Sequence, residues 1–289
     1  MSFDQIEKIN LELLLEYSSS LPASPRIFAR LSQLIQNEDT ALDYITSLVK
    51  MDPGLAAQIL RVTNSAYYGA SFKINDLDTA ISRIGFREVQ KVLSMVVAHE
   101  CFYQALPLYG ITATEFADQC VDVAVTSETL AKRVGFDPNN PYITGLLHII
   151  GKLAINLYLE RLDQLADISG LVSESRPLES VEMDLFGMTH HRVGAELLSH
   201  WQFEPACWQP IKNQSYPASA STFLKETALL SLARWIATKL AKYDWEDATP
   251  EHIRSALSLL GIDPLDIPML IDEARFEIND RKNMLSMLL

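Results

Sequence analysis

The chain has 289 residues, of which 48% are hydrophobic and 21% charged, a composition typical of a globular protein with one large domain or two smaller ones. Its 24 lysine and arginine residues and 37 aspartate and glutamate residues give a formal net charge of −13. Affinity for nucleic acid comes mainly from cationic side chains that neutralise phosphates, and anionic lipid repels acidic surfaces in the same way. We therefore expect neither nucleic acid nor membranes as partners.

The three cysteines, Cys101, Cys120 and Cys207, lie far apart and form neither a CxxC pair nor a zinc-ligand spacing. Each has apolar neighbours, and a free cysteine in such surroundings behaves as a small hydrophobic residue, which fits a reducing compartment. The N-terminal segment lacks the basic and apolar regions of a signal peptide, and we find no uncharged apolar run of about 18 residues. These features predict a cytoplasmic protein.

Helix signals dominate the first 105 residues. Asp52-Pro53 caps one predicted helix, and Asp76 begins another that Gly85 is placed to end. The segment 106–114 contains a proline and a glycine and loses the helical periodicity. We therefore predict two helical lobes, residues 1–105 and residues 106–289.

Helical periodicity resumes after the junction and continues to the end of the second lobe. The apolar spacing predicts helices over residues 115–134, 142–159, 178–186, 190–201, 223–243, 251–260 and 264–287. Residues 213–222 form a polar loop, and alternating strand patterns are absent. The predicted fold is all-α, a two-lobed multi-helix bundle.

The densest pattern is DPGLAAQILRVTNSAYYG, from Asp52 to Gly69, a capped helix followed by a turn with two tyrosines. With its flanks, it resembles the signature of the HDOD family, bacterial signalling modules related to the HD superfamily of metal-dependent phosphohydrolases. The positions that carry the resemblance are Leu21, Pro22, Pro25, Asp52, Pro53, Leu55, Leu60, Asn64, Ser65, Ala66, Tyr68, Gly69, Ile74, Leu77, Ala80, Ile81 and Gly85. The residue pattern alone favours a helix–turn–helix corner whose role is packing. Alternatively, Asn64, Ser65 and Tyr68 form a recognition surface.

The resemblance implies an HD-like second lobe and the position of its metal site. HD phosphohydrolases bind divalent cations through a helical histidine, an adjacent His-Asp pair and a later aspartate. At the matching positions this chain has Gln119, His148-Ile149 and Ala233-Arg234. Isoleucine cannot bind a metal, and a guanidinium repels a divalent cation.

Other parts of the family's pattern survive unevenly. Asn213-Gln214 replaces a later histidine pair, whereas His190 keeps the family's histidine and Lys152 lies one turn beyond His148. We therefore expect no catalytic residue, no metal and no cofactor. The residues of this degenerate HD pocket are Gln119, His148, Lys152, His190, Asn213 and Arg234.

A retained signature beside an altered metal motif favours a non-catalytic regulatory module that binds signalling proteins. The first alternative is a metal-dependent phosphohydrolase with a rearranged site, in which Asp118 or Asp122 joins His148 and His190. The second alternative is a sensor of a nucleotide second messenger. Its phosphate would be bound by the cations of Lys152, Arg192 and Arg234.

Overall fold

The computed structural model of the chain describes residues 7–17, 60, 63–64, 74, 76–85, 103–173, 175–241 and 250–286. Within these ranges the regular structure is helical, and extended residues pair only in isolated bridges, between Leu106 and Ile111 and between Ser173 and Arg176. The all-α prediction is confirmed.

The α-helices of the described ranges are numbered here in chain order. They are α1 (Leu11–Tyr17), α2 (Leu77–Ile84), α3 (Ala113–Arg133), α4 (Asn139–Leu147), α5 (Ile150–Arg161), α6 (Leu178–Phe186), α7 (His190–His200), α8 (Pro205–Lys212), α9 (Leu224–Leu240), α10 (Pro250–Leu260) and α11 (Ile267–Ser286).

The chain divides into two compact units. The larger comprises Met1–Leu21 and Phe102–Ile278, and the smaller comprises Pro22–Cys101 and Asn279–Leu289. The lobe boundary at residues 105 and 106 that the loss of periodicity suggests stays a prediction.

Helix α3 lies at the centre of the larger unit. It packs against α4 and α9, and its buried residues run around most of its circumference. Helix α5 packs against α7, α7 against α8, and α9 against α10. A capping box begins α3, in which Thr112 Oγ1 accepts the Glu115 N–H and Glu115 Oε2 accepts the Thr112 N–H. Helices α3, α5, α7 and α9 carry four residues of the degenerate HD pocket, whereas His148 lies between α4 and α5 and Asn213 directly follows α8.

The N-terminal segment of the larger unit lies against α6. The Ile9 N–H donates to the Phe186 carbonyl at 3.0 Å, and Lys8 Nζ donates to the carbonyl of Asp184. Helix α1 then packs against α5 and α7. Residues near the start of the chain therefore complete a unit built mostly from residues after 102.

The single helix predicted over residues 142–159 is in fact two helices, α4 and α5, interrupted at His148 and Ile149. At this break the His148 carbonyl accepts a hydrogen bond from Gln214 Nε2 at 2.9 Å, and the Lys152 N–H donates to the Ile149 carbonyl at 2.9 Å. Ile149 has φ −115°, outside the helical range. The break places the His148 side chain between α3 and α9.

Among the described residues, the stretch Asn140–Arg161, which contains α4 and α5, is long and apolar enough to cross a membrane. Of its most apolar window, 94% is buried inside the protein. Core helices that contact other helices show this pattern.

Candidate functional site

A small cavity in the larger unit brings together half of the degenerate HD pocket. Its lining includes Gln119 and Asp122 from α3, His148 from the helix break, and Arg234 from α9. The cavity has a volume of about 20 Å³, enough for about one water molecule. Three of the six predicted pocket residues thus line a common space.

His148 presents an unprotonated nitrogen on this buried side chain. Its Nδ1 lies 2.6 Å from the carbonyl oxygen of Gly145, and since a carbonyl only accepts, Nδ1 carries the proton. Nε2 has no hydrogen-bond partner in the described part of the chain. Burial, followed by the charge of Arg234, holds the pKa of His148 well below its usual range. The imidazole is therefore neutral at pH 7.

His190 is fixed by a buried carboxylate. Its Nδ1 lies 2.8 Å from Glu182 Oε2, and its backbone N–H donates to the same oxygen at 2.9 Å. The Tyr109 hydroxyl donates to the other carboxylate oxygen, Oε1, at 2.9 Å. Glu182 is fully buried, and this burial raises its pKa to about 7. Burial also holds the pKa of His190 well below its usual range.

Lys152 supplies a positive charge to this network. It is buried on α5, with Nζ 5.5 Å from the centroid of the Tyr109 ring, within range of a cation–π interaction. Its charge favours the ionised form of Glu182 and disfavours protonation of His190. The two neutral histidines of the pocket, His148 and His190, therefore lie near two cations, Lys152 and Arg234.

His191 forms a second histidine–carboxylate pair beside the first. Its Nδ1 lies 2.8 Å from Glu179 Oε1, and the Ser215 hydroxyl donates to the same oxygen. Burial lowers the pKa of His191 to about 4. Burial favours a higher pKa of Glu179, but hydrogen bonding to His191 outweighs it, and the pKa of Glu179 is lowered to about 2. The pair is therefore a neutral imidazole that donates to a carboxylate.

Asn213 and Gln214 play different parts. The Asn213 side chain donates to the Gln209 carbonyl within its own turn and is not part of the cavity lining. Gln214 is fully buried and holds the His148 carbonyl. Of this pair, Gln214 is therefore the residue that contacts His148.

These residues do not fit the metal site of an HD phosphohydrolase. Arg234 lines the cavity beside His148, and the carboxylates nearest to His190 and His191 are occupied by the Nδ1 atoms of those histidines. Among the described residues, no group of three or more His, Cys, Asp or Glu side chains is arranged to hold a metal ion. For the rearranged site, Asp122 lines the cavity, whereas Asp118 is not in its lining.

The predicted phosphate-binding cations are also separated. Arg234 lines the cavity and Lys152 is buried near Tyr109, but Arg192 is exposed on α7. A volume of about 20 Å³ is far below the several hundred Å³ of a typical small-molecule site. A nucleotide would need this region of the protein to open.

Asn64 has a structural role in the smaller unit. Its Nδ2 donates to the Leu60 carbonyl at 2.8 Å and to the Ile74 carbonyl at 2.7 Å, and its Oδ1 accepts the Ile74 N–H at 2.7 Å. The amide thus satisfies both backbone groups of Ile74, ten residues further on. The other predicted signature residues of the site, Asp52, Pro53, Ser65, Tyr68 and Gly69, lie outside the described residues.

A model of the HDOD domain family matches residues 21–217, most of the chain. The chain belongs to the HDOD domain family. The resemblance found in the sequence is therefore confirmed.

Solved structures similar to this HDOD protein include two that cover nearly all of it. An HDOD domain protein of unknown function from Geobacter sulfurreducens is 22% identical, with a TM-score of 0.73 over 96% of this chain and 98% of that one. A proposed phosphohydrolase from Shewanella amazonensis SB2B is 26% identical, with a TM-score of 0.67 over 92% of this chain and 97% of that one. The HDOD fold is thus shared along almost the whole length.

The HDOD protein is also similar to an uncharacterized protein of Treponema pallidum (strain Nichols). The two are 26% identical over 184 residues, which make up 63% of this chain. The match spans 35% of the Treponema protein, so this chain covers about a third of that relative.

Sequence reasoning missed the two carboxylates that hold His190 and His191. Glu182 lies on α6 beside Val181, and both are buried. A glutamate on the buried face of a predicted helix is a signal that could have identified Glu182. A buried carboxylate is rarely stable without a hydrogen-bond or charge partner, so its presence there implies one. Ser215 and Tyr109 have no comparable sequence signal.

Proposed function

We propose that this HDOD protein is a non-catalytic regulatory module of bacterial signal transduction that acts in the cytoplasm by binding other proteins. The observation that carries the proposal is the guanidinium of Arg234 in the cavity beside the neutral imidazole of His148. A cation in this position repels Mn²⁺ or Fe²⁺, and metal-dependent hydrolysis requires such an ion to activate water.

The buried hydrogen-bond networks support the same conclusion. Glu182 and Glu179 are each bound to a histidine Nδ1, so neither has both oxygens free for a metal. The hydrogen bonds to the two Nδ1 atoms fix α7 against α6, although the Nε2 atoms of His190 and His191 have no hydrogen-bond partner in the described part of the chain. We infer that the degenerate HD pocket keeps the shape of α5, α6 and α7 for a surface that binds partners.

Metal content tests the proposal. The full chain is purified without chelators or a histidine tag, incubated with Mn²⁺ and Fe²⁺, and analysed for bound metal and for hydrolysis of bis(p-nitrophenyl) phosphate. We expect substoichiometric metal and no turnover. A stoichiometric ion, together with turnover that His148→Ala abolishes, would overturn the proposal in favour of the rearranged phosphohydrolase.

A matched pair of variants tests the cause. Arg234→Asp replaces the guanidinium of the cavity by a carboxylate, whereas Arg192→Asp makes the same change of charge at an exposed position on α7. We expect Mn²⁺ to bind more tightly to Arg234→Asp than to the wild type and Arg192→Asp to be unchanged. Equal affinities in all three proteins would contradict the role given to Arg234.

The nucleotide sensor is tested in the same preparation. Calorimetric titration with cyclic dinucleotides and guanosine polyphosphates is expected to give no heat, because the cavity holds about one water molecule. Saturable heat that Arg234→Gln abolishes would replace the protein-binding proposal by a ligand-sensing one.

A further inference from the structure

Helix α11 and the 3₁₀ turn before it, Pro264–Asp266, carry a row of exposed apolar side chains. Leu265 is 86% exposed, Phe276 70% and Met269 37%, and the first two are the most exposed large apolar residues in the described ranges. Since each residue of an α-helix turns by about 100°, Met269 and Phe276, seven positions apart, lie along one side of α11, and Leu265 lies in the 3₁₀ turn that leads into it. We call these three residues the α11 outer face.

The opposite side of α11 is already occupied. Leu270, Ala274 and Ile278 recur every four residues, and all three are buried in the larger unit. A helix that packs on one face normally presents charged and polar residues on the other. The apolar side chains on the second face provide a surface on which another helix can pack.

The charges around the α11 outer face are mostly negative. From Asp263 to the end of α11 there are six aspartate and glutamate residues against three cations, Arg275, Arg281 and Lys282, and Arg281 is buried. Asp272 lies between Met269 and Phe276 and is paired with Arg275, and both side chains are mostly exposed. On α3, Arg133 Nη2 contacts Met269 Sδ at 4.0 Å, which places one further cation at the edge.

We propose that the α11 outer face binds a basic amphipathic helix of a signalling partner. The partner's apolar side would pack on Leu265, Met269 and Phe276, and its lysine or arginine residues would lie beside acidic residues such as Asp266 and Glu273. This is the recognition of an amphipathic helix by an apolar face, with charge complementarity for selectivity. The proposal rests on the proposed function, because it names the kind of partner that the module would bind.

The charge pattern disfavours two other occupants. A second copy of the chain would bring the same acidic residues against one another, and like charges across an interface are costly. A membrane surface rich in anionic lipid is repelled by the acidic residues and by the net charge of −13. A basic helix is attracted by both features.

Two synthetic peptides test the proposal with the full chain. One is an amphipathic helix with leucine at positions i, i+4, i+7 and i+11 and lysine on its flanks, and the other has glutamate in place of every lysine. We expect saturable binding of the lysine peptide by fluorescence anisotropy, weakened by added salt, and no binding of the glutamate peptide. Equal binding of the two peptides, or binding of neither, would overturn the proposal.

Surface variants locate the binding. The double variant Leu265→Ser/Phe276→Ser is expected to weaken binding of the lysine peptide by about tenfold or more, because large apolar side chains dominate such interfaces. The control is Met183→Ser on α6, which removes a side chain of 48% exposure elsewhere. All these positions are exposed, so circular dichroism is expected to show wild-type folding. Wild-type affinity in the double variant would overturn the assignment.

Two further outcomes separate this proposal from the others. Sedimentation velocity that finds a dimer of the wild type and a monomer of Leu265→Ser/Phe276→Ser would make the α11 outer face a self-association surface and overturn the basic helix. Failure of peptide binding in a chain that still lacks metal and turnover would defeat this inference alone. Bound metal with turnover would defeat the proposed function, whatever the peptides do.

Discussion

Gly151 on α5 and His190 on α7 approach so closely that a β-carbon on Gly151 would lie 1.9 Å from the His190 carbonyl oxygen. The same added carbon would lie 2.7 Å from the backbone nitrogen of Gly194. Both neighbours are backbone atoms of α7 and cannot rotate away. The contact therefore fixes the spacing between α5, which carries Lys152, and α7, which carries both buried histidines.

Gly151→Ala is expected to lower the free energy of unfolding by about 3 kcal/mol or more, because α5 and α7 must separate to admit the methyl group. Urea denaturation followed by circular dichroism measures this change. The control is Gly170→Ala, where an added β-carbon has no neighbour within 4 Å and stability is expected to change little. Similar losses in the two variants would contradict the close approach.

His191 is expected to make the protein less stable in acid. Its folded-state pKa of about 4 lies below the usual 6.5, so the unfolded chain binds more protons between these values. Stability from this residue is complete above about pH 6.5 and is lost as the pH falls towards 4. The loss at pH 5, relative to pH 8, is about 2 kcal/mol.

The measurement is the free energy of unfolding as a function of pH for the wild type and His191→Gln. The variant is expected to lose less stability than the wild type between pH 8 and pH 5. His200→Gln, at an exposed position of α7, is expected to keep the wild-type dependence. An unchanged slope in His191→Gln would refute the assignment of the acid sensitivity to this residue.

Asn64→Ala is expected to destabilise the smaller unit by about 2 kcal/mol, because the backbone N–H and C=O of Ile74 would lose their partner. Hydrogen exchange provides the local measurement, in which the Ile74 amide loses its protection. Asn213→Ala removes a single amide hydrogen bond at the C-terminal end of α8 and is expected to cost less. Full protection of the Ile74 amide in Asn64→Ala would rule out this structural role.

Arg234→Gln is expected to raise the pKa of His148 without restoring it to its usual range. Burial is the largest cause of the lowered pKa, and the charge of Arg234 is the next. Titration of the imidazole by ¹⁵N NMR measures the change, and Arg192→Gln is the control for loss of a distant positive charge. A His148 pKa equal to that of the wild type would show that Arg234 exerts no field on the cavity.

Capping residues and apolar spacing predicted the helices whose ends are fixed by interactions between residues close in sequence. Asp76 begins α2 by accepting the Thr79 N–H at 2.7 Å, and Gly85 ends it with a positive φ of 79°, as its position indicated. The predicted span of residues 178–186 coincides with α6. In each case the residues that give the signal lie within the helix or directly beside it.

Long-range contacts account for what the sequence could not indicate. At the break between α4 and α5 the His148 carbonyl accepts a hydrogen bond from Gln214, 66 residues away. Family positions placed Gln119, His148 and Arg234 around one cavity, but the carboxylate that holds His190 comes from α6. Helical periodicity records which side of a helix is buried, not which polar partner it meets there.

The docking of the N-terminal segment on α6 has a consequence for synthesis of the protein. Lys8 and its partner Asp184 are 176 positions apart in the chain. At about 5–20 residues per second, the ribosome needs roughly 10 to 35 seconds to travel this distance. Residues 7–17 therefore leave the ribosome long before their binding surface exists, and this part of the larger unit closes only after α6 has been synthesised.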